Sequence, residues 1–125
     1  MINLIIDAAN EKIIFKIISD KRSYTTSYAN SRENFDNFMK LISNFLRKKK
    51  IKISNIDRVY VNLGPGKFTS LRISLSIAKA ISIANKADLI GFKSDDLTNK
   101  NYKNLTKLKE KNTSIKSLIK PIYSS

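Results

Sequence analysis

The sequence has 125 residues, room for one domain with a single core, and contains no cysteine and no histidine; disulfides, thiol nucleophiles, imidazole acid–base chemistry and zinc sites built on Cys or His are thereby excluded. Its formal net charge of +14 has the sign of a nucleic-acid or acidic-surface binder, yet Ile, Lys and Asn together supply 51 residues, the bias of an A/T-rich genome. No apolar run approaches the roughly 18 residues that cross a bilayer, and the first residues lack the basic flank and cleavage site of a secretory signal, which predicts a soluble, cytoplasmic chain that does not touch membranes.

Asn3 to Ala8 and Lys12 to Ser19 are two β-rich runs separated by Ala9-Asn10-Glu11, short enough for a hairpin. Both are nearly continuous in apolar character, as expected of strands covered on both faces. Asp20-Lys21-Arg22 forms the next turn, and Ser23 to Ala29 is a more polar third strand suited to a sheet edge. Ser31, with Asn34 three residues on, gives a partial capping signal. Phe35, Phe38, Met39, Leu41, Ile42, Phe45 and Leu46 then recur at helical spacing. The arc they cover is broader than one sheet contact needs.

The only true basic cluster, Arg47-Lys48-Lys49-Lys50-Ile51-Lys52, closes that helix. Cations there favour the negative end of the helix macrodipole, so solvated capping is its default reading. Asp57 to Leu63 follows as a strand with Val59, Val61 and Leu63 on one face. Phe68 to Asn85 is a second helix, apolar on two sides: Ile73, Ile77, Ala80, Ile81 and Ala84 on one, Phe68, Leu71, Leu75 and Ala78 on the other. Ala87 to Phe92 is a last strand. Strands joined by helical crossovers pair in parallel with right-handed connections, giving a mixed five-stranded sheet in the order β-β-β-α-β-α-β. Residues 1–98 form this α/β unit; 99–125 form a Lys-rich tail, read equally as a short docked helix or as disorder.

The bend between the last two crossover elements is Gly64-Pro65-Gly66-Lys67-Phe68-Thr69-Ser70-Leu71-Arg72. It concentrates two of the three glycines and one of the two prolines of the chain where a strand hands over to a helix. A Walker A loop would need Gly at Val61 and Ser or Thr at Phe68, and a dinucleotide fingerprint would need Gly at Thr69; neither pattern is met. What remains is either a structural turn or a bend whose exposed helical amides hold an anion or a partner carbonyl.

This motif is similar to the Gly-Pro-Gly-Ser-Phe-Thr-Gly-Leu-Arg-Ile-Gly segment of the bacterial TsaB (YeaZ) family. The resemblance continues in Leu4-Ile5-Ile6-Asp7-Ala8-Ala9 and in Ala87-Asp88-Leu89-Ile90-Gly91-Phe92, and covers roughly residues 1 to 98. Lys67 and Ser70 depart from the usual Ser and Gly, Ala8 from the frequent Thr, and Asn34 from a common His. The resemblance implies an actin-like ATPase (ribonuclease H-like) half-domain. It also implies a shortened member, because family members continue into a second half-domain of related fold.

By the same resemblance the chain is a non-catalytic scaffold subunit in the synthesis of N6-threonylcarbamoyladenosine at tRNA position 37. Its implied partner is the catalytic TsaD-like paralogue. A TsaE-like ATPase and a second copy of the chain remain further partners, and contact with tRNA is indirect or weak. No catalytic residue, metal or cofactor is expected. Asp7, at the end of the first strand, is read either as a cap on its turn or as a vestigial nucleotide-site position. In the family the first two helices form the partner interface, which nominates Phe35, Phe38, Met39, Ile42, Leu71 and Leu75, each of which could equally be core. The competing reading, supported by charge alone, is a small basic RNA-binding protein using Arg47 to Lys52 and the tail.

Overall fold

The computed structural model of the chain describes residues 1–97 together with Tyr102 and Leu105. Five strands, β1 (Ile2–Asp7), β2 (Lys12–Ser19), β3 (Ser23–Ala29), β4 (Arg58–Asn62) and β5 (Asp88–Phe92), form one sheet in the order β3-β2-β1-β4-β5. The first three pair antiparallel, and β1–β4 and β4–β5 pair parallel. The mixed sheet and element order read from the sequence are therefore present, with β3 at the edge.

Side-chain alternation divides the sheet into two faces. Leu4, Ile6, Ile13, Phe15, Ile17, Val59, Val61 and Leu89 point to one face, where they meet Phe38, Ile42, Phe45 and Leu46 of α2 (Phe38–Lys48) and Leu75, Ala78 and Ile81 of α3 (Phe68–Asn85). Each such burial removes apolar surface worth about 1.5–3 kcal/mol per side chain. The other face is a smaller core of Ile5, Tyr60, Ile90 and Phe92, covered by Tyr102 and Leu105. Both lie in the stretch read as the tail, past residue 98. The remaining expectations for the tail lie outside the described residues.

Three local expectations are corrected. Strand β2 is fully covered on one face only, since Ile14 and Ile18 are half-buried. The first helical run is broken in two, α1 (Arg32–Asp36) and α2, because Asn37 departs from helical geometry at φ −110° and ψ 17°. The Ser31 hydroxyl does cap α1, accepting from the Asn34 amide at 3.3 Å. Last, α3 buries its Leu71–Leu75–Ala78 side, whereas Ala80 and Ala84 are exposed and Phe68 is 49% exposed. Its inner face also carries Ser70, Ser74 and Ser82, whose hydroxyls donate to carbonyls of Lys67, Leu71 and Ala87. Small self-satisfied side chains let the helix lie close to the sheet without orphaning a polar group.

Both long helices end in the same way. After α2, the Lys50 amide donates to Arg47 and the Ile51 amide to Leu46; after α3, Lys86 donates to Ile83 and Ala87 to Ser82. These paired bonds make a Schellman turn, which needs a left-handed residue, normally glycine. Lysine occupies that position each time, with φ 58° at Lys50 and 54° at Lys86. A 3-10 turn at Ile53–Asn55 then leads into β4.

Candidate functional site

The carboxyl ends of the parallel strands β1, β4 and β5 converge, the place where open α/β sheets commonly put their ligands. Asp7 ends β1 there and is 1% exposed. Its Oδ1 accepts from the Ala9 amide at 3.3 Å and from Asn62 Nδ2 at 3.0 Å, and its Oδ2 accepts from the Tyr102 hydroxyl at 2.8 Å. Asn62 Nδ2 also reaches Ser94 Oγ at 3.2 Å, and Asn62 Oδ1 accepts from the Gly64 amide at 2.8 Å. The charge is buried, but each of its oxygens is met by donors, as a buried carboxylate requires. Burial, followed by the nearby Asp7 charge and the hydrogen bond to it, pushes the Tyr102 hydroxyl above its ordinary value of 10.0.

The glycine turn is built into the same cluster. Gly64 adopts φ 109°, open to glycine and strained for other residues, and the Gly64–Pro65 peptide is cis. A Cβ on Gly66 would lie 2.7 Å from the Ala9 carbonyl oxygen and 3.0 Å from its Cα, so the turn packs backbone to backbone against the β1–β2 loop. The Gly64 carbonyl accepts from the Ser94 amide at 3.1 Å. Of the remaining motif residues, Ser70 and Leu71 are buried, while Pro65, Lys67, Phe68, Thr69 and Arg72 are exposed. The Arg72 guanidinium lies 5.5 Å from the Phe68 ring centroid.

The nominated interface residues separate into two groups. Phe38, Ile42, Leu71 and Leu75 are buried in the chain's own core and offer no surface to a partner; Met39 is 38% exposed and Phe35 is half-buried. Periodicity gave the width of the apolar arc but not which part meets the sheet, and the break at Asn37 takes Phe35 out of phase with α2. On α2 and α3, apolar surface that stays outward is found instead at Met39, Phe68 and Ile83, the last 66% exposed, while Ile73 and Ile77 of α3 are half-buried against the core. Asn62, Ser94, Ala9 and Tyr102 were missed as members of the Asp7 cluster. An Asn closing a strand just before a glycine turn was the available hint for Asn62; Tyr102, 95 residues from Asp7, gave none.

The fold and this turn can be set against known proteins. The family model described as TsaD, tRNA N6-adenosine threonylcarbamoyltransferase, matches residues 18–103. The chain belongs to this TsaD/TsaB (YeaZ) family. It is 30% identical over 88 residues to the tRNA threonylcarbamoyladenosine biosynthesis protein TsaB of Buchnera aphidicola, a match covering 70% of this chain and 42% of that protein. It is 28% identical over 88 residues to the tRNA N6-adenosine threonylcarbamoyltransferase of Thermosipho melanesiensis, covering 66% of this chain and 27% of the relative. The TsaB-like chain thus spans less than half the length of either curated relative.

Among solved structures it superposes on YeaZ from Pseudomonas aeruginosa with a TM-score of 0.72 at 17% identity, over 84% of this chain and 50% of the other. A second, an uncharacterized protein with similarity to peptidase YeaZ, gives a TM-score of 0.70 at 16% identity, over 90% of this chain and 50% of the other. These overlays support the same actin-like α/β fold for the TsaB-like chain.

Proposed function

We propose that this TsaB-like chain is a non-catalytic scaffold subunit in tRNA threonylcarbamoyladenosine synthesis, binding a TsaD-like catalytic paralogue through the outward surfaces of α2 and α3. The observation that carries the reading is the apolar surface these helices keep after the core is filled: Met39, Ile83 and Phe68 exposed, Ile73 and Ile77 half-buried. Apolar side chains that a helical layer leaves exposed are surface a protein partner can bury. The inert role is supported by the strand-end carboxylate. Asp7 is sealed by Tyr102 and Asn62 rather than presented in a cleft, and the chain contributes no imidazole or thiol of its own.

The test is reconstitution. Purified chain with tRNA, ATP and the pathway's threonylcarbamoyl donor should form no modified adenosine, and adding it to the TsaD-like paralogue should raise product formation. Product formed by the chain without the paralogue, or no effect on the paralogue, overturns the reading.

A further inference from the structure

A cavity of about 380 Å³ lies at the opposite end of β4 from the glycine turn, between Ser43, Leu46 and Arg47 of α2 and the segment Lys50–Ile53. The Schellman turn creates it. Folding Ile51 back so that its amide meets the Leu46 carbonyl at 2.9 Å lays Ile51 beside Leu46 as an apolar floor, extended by half-buried Ile53. Around this floor stand Arg47, Lys50 and Lys52, all exposed.

Helix capping accounts for Arg47, which lies in the last turn of α2, but not for Lys50 and Lys52, which lie beyond it. Among the described residues none of the three forms an ion pair. Arg47 is held in place by its bond to Asn44 Oδ1 at 2.8 Å. The lining has no aromatic ring on which a base could stack, and Tyr24 is already covered by Lys49, 4.9 Å from its centroid. Cations gathered round an apolar floor, rather than strung along a groove, match carboxylates flanking an apolar side chain.

We propose that this cavity binds an acidic segment of a partner protein, with an apolar side chain seated on Ile51 and Ile53 and flanking carboxylates paired with Arg47, Lys50 and Lys52. The charges set encounter rate and orientation, and the apolar insertion sets residence. The inference stands apart from the helical surface invoked for the paralogue.

The test is fluorescence anisotropy of the whole chain with a labelled peptide carrying one leucine among glutamates, its serine-for-leucine analogue, and single-stranded RNA. The leucine peptide should bind about tenfold tighter than the serine analogue, the scale of one buried aliphatic side chain. Arg47→Glu with Lys52→Glu should weaken it by about tenfold or more. Lys50→Gly should weaken binding while raising the unfolding midpoint, which separates lost binding from lost folding. Equal binding of the two peptides, no binding of either, or tighter binding of RNA than of the leucine peptide would each overturn the proposal.

Discussion

Asp7 is where charge and packing conflict most directly. Its carboxylate is buried, and the Tyr102 hydroxyl at 2.8 Å supplies the donor for Oδ2. Tyr102→Phe keeps the ring against Phe92, 6.4 Å between centroids, but strands that oxygen; the expected loss of stability is about 1–3 kcal/mol by denaturant titration. The pH dependence has a defined sign. The Tyr102 pKa is raised in the fold, so the unfolded chain gives up this proton first as pH climbs past 10.0. The contribution is intact below that value and lost above it, and wild-type stability should therefore fall more steeply in strong alkali than that of Tyr102→Phe. At Gly66, the 2.7 Å approach to the Ala9 carbonyl predicts that Gly66→Ala costs about 1–3 kcal/mol in the same titration, because backbone has to move. The sequence exposed the glycines, whose role is local, but not Tyr102, whose partner is remote along the chain.

The helix ends carry a second, opposite expectation. Lys50 and Lys86 occupy left-handed backbone at φ 58° and 54°, where a Cβ costs about 1–2 kcal/mol. Lys50→Gly and Lys86→Gly should each raise the unfolding free energy by roughly 0.5–1 kcal/mol, glycine's larger unfolded-state entropy offsetting part of the relief. Unchanged or lowered midpoints would contradict the Schellman assignment. Strand identities, the span of α3 and the polar edge strand β3 were legible because each rests on periodicity or local chemistry. Two features were not. The break at Asn37 has no proline or glycine to announce it, and the inward face of each helix is chosen by the sheet it meets, which is why Phe38, Ile42, Leu71 and Leu75 are core while Met39 and Ile83 stay outside.

The whole molecule places its features at two ends of one sheet and on one helical layer. The carboxyl ends of β1, β4 and β5 are closed by the Asp7–Asn62–Tyr102 cluster, the opposite end of β4 bears the basic cavity, and α2 with α3 carries the outward apolar side chains. Family membership was readable from the glycine turn and the strand ends around it, and the model match over residues 18–103 agrees. The surface proposed to serve a partner required the packed structure, because an apolar residue in a sequence does not disclose whether its own core has claimed it. Sedimentation velocity of the chain mixed with its TsaD-like paralogue, with and without Met39→Asp and Ile83→Asp, measures that surface directly. A wild-type complex that dissociates in the double variant, while each variant monomer stays folded, is the expected result. A complex untouched by both substitutions, or no complex at all with the wild-type chain, would contradict the account.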